Sequence, residues 1–160
     1  MRIPSVLALF TSCLLLSANV TADFWKGFTA YYADDYEIAF REWKASAEQG
    51  DSASQYQLGR MYEKGKGVLQ DYKEAVKWYT KAAEQGNASA QNNLGFMYGN
   101  GNGVLQDNVY AHMWFNIASS NGSENDRKNR DLAAERMTPA QLAEAQKQAR
   151  ECVKKDYKNC

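Results

Sequence analysis

The chain has 160 residues and carries 19 basic against 19 acidic side chains. That length fits one domain able to bury a core without a structural metal or a dense disulfide framework, and the balanced charge gives no electrostatic case for nucleic acid or an anionic membrane surface. Two prolines, ten tyrosines and frequent alanine favour helices packed through small and aromatic residues, so the expected class is all-α.

In chain order, residues 1–22 differ from the rest. Arg2 gives a small positive start, Val6 to Leu16 an apolar run, and Val20-Thr21-Ala22 a small-residue cleavage pattern ahead of Asp23. This predicts a secretory signal peptide, with an uncleaved anchor as the alternative; the run is short for a membrane span, and Leu14-Leu15-Leu16 continuing past Cys13 weakens a lipoprotein reading. Cleavage near Ala22 removes Arg2 and leaves a net charge of −1. The expected location is therefore periplasmic or secreted, with no membrane insertion after cleavage.

Residues 23–50 read as a degenerate first unit: an irregular helix in "DFWKGFTAYYA" and a second helix in "DYEIAFREWKASAEQG". Two full units follow at 51–86 and 87–122. At an offset of 36, Leu58-Gly59, Met61-Tyr62, Gly67-Val68-Leu69-Gln70-Asp71, Ala75 and Trp78 meet Leu94-Gly95, Met97-Tyr98, Gly103-Val104-Leu105-Gln106-Asp107, Ala111 and Trp114. The end motif Ala83-Glu84-Gln85-Gly86 repeats Ala47-Glu48-Gln49-Gly50. A fixed period of this size means stacked helical units that bury their apolar faces only against each other.

Each unit predicts two helices. The first opens at an N-cap, Asp51 or Asn87, and stops at Gly65 or Gly101, where a residue without Cβ takes the left-handed conformation. The second opens at Asp71 or Asp107, with Glu74 as reciprocal partner in an Asp-x-x-Glu capping box and Tyr110 lacking that function. Gly86 and Gly122 end these second helices. The G-x-G turn has neither phosphate-loop spacing nor a retained lysine, since Lys66 becomes Asn102; it reads as a turn in which Val68 and Leu69 pin the chain to the core and the lysine has no role of its own.

Residues 123–160 predict a further helix in "SENDRKNRDLAAERM" and a capping helix opened by Thr138, Pro139 and Gln141, with Leu142, Ala145, Ala149 and Cys152-Val153 on its apolar side. Cys152 and Cys160, eight apart, cannot bridge along one helix, where eight residues span about 12 Å. An intramolecular bridge requires the tail to fold back; free thiols or bonds to other chains are the alternatives.

The ordered motifs A-x-x-x-L-G-x-M-Y, G-x-G-V-x-Q-D, A-x-x-W and A-A-E-Q-G resemble the Sel-one-like repeat (SLR) family, relatives of the tetratricopeptide repeats, from Asp23 to about Val153. The resemblance implies a right-handed superhelix of antiparallel helix pairs acting as an adaptor or scaffold, often in bacterial envelope or secreted proteins. Cysteine-rich secreted relatives carry a disulfide per repeat, and some are described as weak penicillin-binding or β-lactamase proteins. This chain lacks those cysteines.

No catalytic, metal or cofactor site is expected. The one histidine, His112, occupies the slot of Phe40 and Val76 and reads as a core residue; one histidine makes zinc improbable. Neither Ser-x-x-Lys nor Lys-Thr-Gly occurs, so the serine β-lactamase constellation is missing. Trp25, Trp43, Trp78 and Trp114 read as inter-helix core, and Asn87, although in a sequon, as a helix cap. In tetratricopeptide-like folds the first helices line a concave groove. By that analogy the partner-binding residues are Tyr56, Arg60 and Glu63 in one unit and Asn92, Phe96 and Asn100 in the next, taking an extended peptide or protein segment. The expectation is a monomeric, non-catalytic adaptor of the envelope or secreted space. The runner-up is a penicillin-recognising envelope hydrolase or peptidoglycan-associated protein.

Overall fold

The computed structural model describes residues 23–120 and 123–160; the expected signal segment, Asn121 and the helix stop at Gly122 lie outside them. The described residues form α1 (23–32), α2 (Tyr36–Glu48), α3 (Ser52–Lys64), α4 (Tyr72–Ala83), α5 (Ala88–Asn100), α6 (Asn108–Ser119), α7 (Glu124–Ala134) and α8 (Pro139–Lys154), with no strand among them. From α2 to α7 each helix packs on the next, and α8 folds back onto α6. No helix of the described residues is long and apolar enough to cross a membrane.

The caps follow the 36-residue period. Asp51, Asn87 and Ser123 accept hydrogen bonds from the backbone N–H of Ser54, Ala90 and Asp126, so the first-helix register reaches α7. Gly65 and Gly101 end α3 and α5 with φ of 65° and 71°. Asp71 and Asp107 cap α4 and α6, each through one carboxylate oxygen that accepts from two backbone N–H groups.

The capping box expected at Asp71 does not form. The Asp71 N–H already donates to the Tyr62 carbonyl at 3.0 Å, and the Glu74 carboxylate pairs with Lys77 instead. The same backbone link joins Asp107 to Tyr98 at 2.9 Å. Gln70 and Gln106 donate to the carbonyls of Glu63 and Gly99, each at 2.8 Å. The Gln-Asp pair of each turn thus satisfies carbonyls at the end of one helix and N–H groups at the start of the next, eight of which every helix leaves open.

Close approach explains the other glycines of the motif. A Cβ on Gly27, Gly59 or Gly95 would lie 2.5, 2.6 or 2.5 Å from the rings of Trp43, Tyr79 or Phe115. Those three rings are themselves 36 residues apart, so each unit packs one aromatic of its second helix on one glycine of its first. Gly67 and Gly103, at φ of 70° and 74°, sit against the carbonyls of Tyr36 and Tyr72, where a Cβ would collide with backbone. The G-x-G turn therefore closes a helix with its first glycine and docks on the preceding unit with its second.

Three core expectations are corrected. Leu69 and Leu105 are 89% and 91% exposed; Val68 and Val104 alone contact the core, and nothing in the structure explains the repeated outward leucine. Trp43, Trp78 and Trp114 are buried, but Trp25 is 61% exposed, because α1 turns Gly27 toward Trp43 and Trp25 lies two residues, about 200°, round the helix. Val153 is exposed, while Ala145, Ala149 and Cys152 are buried.

Contrary to expectation, Lys66 has a role of its own. Its Nζ donates to the Tyr36 hydroxyl at 3.0 Å and lies 4.9 and 4.6 Å from the ring centroids of Tyr31 and Tyr36, a cation–π contact joining the turn to the N-terminal unit.

Candidate partner-binding surface

The six residues proposed to meet a partner fall into two different environments. In the first full unit they are engaged by neighbours. The Tyr56 ring packs 5.9 Å from that of Tyr79, and Arg60 lies over the Tyr56 ring while its Nη1 donates to Gln57 Oε1 at 3.2 Å. Glu63 accepts from the Tyr79 hydroxyl at 2.6 Å and pairs with Lys64 at 2.6 Å. Burial first, and the Glu63 carboxylate second, push the Tyr79 phenol far above its ordinary range, so this bond keeps its proton throughout the stable range.

In the second unit the same space is open. Gly99 stands where Glu63 stands one unit earlier, and Phe115 where Tyr79 stands; neither offers a polar group to fill it. The result is a cleft of about 220 Å³ between α5 and α7 with α6 as its floor. Gly95, Phe115 and Ala111 form the base, and Phe96 and Leu132 flank it at 44% and 56% exposure. Phe96 is held edge-on to Phe115, with ring centroids 5.0 Å apart. Asn100, Asn108, Asn129 and Arg136 complete the rim. Asn92 faces the neighbouring helix, accepting from Asn129 Nδ2 at 3.0 Å.

The structure therefore brings Phe96 and Asn100 together in one cleft, links Asn92 to α7 beside it, and leaves Tyr56, Arg60 and Glu63 in a closed polar and aromatic arrangement. Leu132, Asn129 and Arg136 were missed because α7 lacks the repeat letters. The signal was present nonetheless: carrying the offset of 36 one unit further from Phe96 and Asn100 reaches Leu132 and Arg136.

Elsewhere, His112 is buried at 2% exposure, its Nδ1 without a hydrogen-bond partner among the described residues. Burial, and secondarily the nearby Arg130 cation, hold its pKa below the ordinary imidazole value, so it sits neutral in the α6 wall. Among the described residues there is no group of three or more metal-ligating side chains.

A second layer of unanticipated polar order runs through the repeat. Buried Gln55 and Gln91 donate to the carbonyls of Ala47 and Ala83, eight residues back. Gln85, from the A-A-E-Q-G motif, donates to Gln55 Oε1 and to the Gly50 carbonyl. These amides satisfy backbone carbonyls where one unit meets the next, and unsatisfied they would be costly.

At the C-terminus Cys152 and Cys160 are disulfide-bonded, their Cα atoms 5.3 Å apart. The tail reverses after Lys155, with the Tyr157 N–H donating to the Cys152 carbonyl at 3.0 Å. It then lies back on α4, where the Asn159 N–H donates to Glu84 Oε1 at 3.2 Å.

The repeat geometry matches known proteins. The family model described as Sel1 repeat matches residues 52–87 and 88–123. Among solved structures, c5321, a protective antigen of uropathogenic Escherichia coli strains displaying an SLR fold, superimposes with a TM-score of 0.82 at 30% identity, over 88% of this chain and 32% of that one. A Sel1 repeat protein from Oxalobacter formigenes gives a TM-score of 0.61 at 36% identity, over 65% of this chain and 41% of that one. The chain thus spans less than half the length of either solved protein. No curated protein matches it significantly. Sel1 repeats generally mediate protein–protein interaction and are typically non-catalytic scaffolding. The chain thus carries two Sel1 repeats in an SLR solenoid like those of these proteins.

Proposed function

We propose that this chain is a non-catalytic adaptor of the bacterial cell envelope or secreted space that binds a protein or peptide segment on the side lined by its first helices. The observation that carries this reading is the open cleft between α5 and α7, where Phe96 and Leu132 present apolar surface beside a rim of amides. Exposed large side chains grouped around a cavity are costly to leave in water and mark an interaction site. The polar closure of the matching space one unit earlier supports the same reading, since it shows that this sequence can fill such a space.

The test is photo-cross-linking in cells from a benzoylphenylalanine placed at Asn100, on the cleft rim, against one at Lys73, exposed on α4. A discrete partner adduct from position 100 alone is expected; equal adducts from both positions, or none from position 100, would contradict the assignment. N-terminal sequencing of the exported protein should begin at Asp23 if the signal segment is cleaved as proposed. Purified protein should neither turn over a chromogenic β-lactam nor retain a fluorescent penicillin, and saturable turnover would favour the hydrolase instead.

A further inference from the structure

We propose that the α5–α6–α7 cleft takes one apolar side chain of a partner peptide and that Arg136 receives a carboxylate adjacent to it. This rests on the reading of the cleft as a peptide site and adds its chemistry. Size comes first. At about 220 Å³ the cleft lies below the roughly 300–1,000 Å³ of pockets that hold small molecules, but one aliphatic or aromatic side chain is much smaller than such a ligand. Its walls are apolar on three sides: Phe96 from α5, Phe115 and Ala111 from α6, Leu132 and Ala133 from α7.

Rim chemistry then selects what flanks that side chain. Asn100, Asn108 and Asn129 offer both donors and acceptors, as an extended backbone requires. Arg136 is exposed and, among the described residues, has no ion-pair partner and is the one charged side chain lining the cleft. An acidic group beside the inserted side chain gains an attraction and meets no like charge; a basic one meets Arg136. One unit earlier Glu63 and Tyr79 fill the corresponding space, so the second unit offers the peptide a single apolar anchor point and hence a defined register.

The experiment is an NMR titration of the isotopically labelled protein with the blocked tetrapeptides Ac-Ala-Leu-Asp-Ala-amide, its Asn and Lys counterparts at the third position, and Ac-Ala-Ala-Asp-Ala-amide. The Leu-Asp peptide should shift the Gly95 and Gly99 amides saturably. It should bind about fivefold tighter than the Leu-Asn peptide, the scale of a partly exposed charge pair, and tighter still than the Leu-Lys one. That advantage should fall to less than about twofold in Arg136→Gln, and the Ala-Asp peptide should bind weakest. If the Asn or Lys peptides bind as well as the Asp peptide, or Arg136→Gln keeps the preference, the carboxylate assignment is overturned while the peptide cleft stands. If none of the peptides moves Gly95 or Gly99, the inference falls; the cross-link from position 100 then decides separately whether the broader reading falls with it.

Discussion

The two full repeats share a backbone and differ in what they do with it. Each caps its helices with an aspartate or asparagine, closes the first with a left-handed glycine, and sets an aromatic ring on a second glycine. In the first repeat, Glu63 and Tyr79 hydrogen-bond across the space between the helices; in the second, Gly99 and Phe115 leave that space open and apolar. What stays constant over 36 residues therefore satisfies backbone groups and permits close approach. The residues that vary decide whether the surface is closed or available.

The largest expected effect comes from breaking the shared part. Gly103→Ala should destabilise the fold by about 3 kcal/mol in urea unfolding, because its Cβ meets the backbone of Tyr72 and Lys73 and its φ of 74° disfavours a side chain. Gly59→Ala should cost less, since its clash is with the Tyr79 side chain rather than with backbone and helix propensity returns up to about 1 kcal/mol. An equal or stabilising effect at Gly103 would show that the turn does not dock as described.

Replacing Cys152 and Cys160 with serine should lower stability by about 2.5 kcal/mol, the chain-entropy value for so short a loop, and should release the tail from Glu84. Alkylation without reductant should leave both thiols unlabelled in the native protein; complete labelling would refute the bridge.

Tyr79→Phe removes the bond to Glu63 and makes the first repeat resemble the second. It should cost about 1 kcal/mol. A neutral result would mean that the polar closure contributes nothing to the fold.

Smaller still is the effect of His112. Its folded pKa is depressed by burial, so between that value and the unfolded imidazole value of about 6.5 the unfolded chain binds more protons. Stability from this group should therefore be fully present above about pH 6.5 and decline as pH falls through that window. His112→Gln should flatten the slope there, and an unchanged slope would assign the acid sensitivity to other groups.

Much of the architecture was legible because backbone satisfaction leaves letters behind. Asp51, Asn87, Gly65, Gly101 and the Thr138 capping box are local devices, read from a few neighbouring residues. What escaped depended on how the turns and helices pack in three dimensions. The sequence could not show that the Asp71 N–H was already taken by Tyr62, that Lys66 lay over two tyrosines of the preceding unit, or that Leu69 faced outward while Val68 faced in. The analogy with a concave groove marks Phe96 and Asn100, and Phe96 also varies across the offset, but the same analogy sets Arg60 and Glu63 on an available surface. The tie of Glu63 to Tyr79, sixteen residues further on, is visible only in three dimensions.

The most direct test converts the second repeat into the first. Gly99 has room for a side chain, since its Cβ would meet only Ala111 Cβ at 3.6 Å, so Gly99→Glu with Phe115→Tyr should rebuild the Glu63–Tyr79 closure in the open cleft. With the benzoylphenylalanine at position 100 in both proteins, we expect the double variant to keep its melting temperature within about 3 °C and lose the partner cross-link. A cross-link of undiminished yield from the stably folded double variant would contradict the claim that this cleft is where the partner binds.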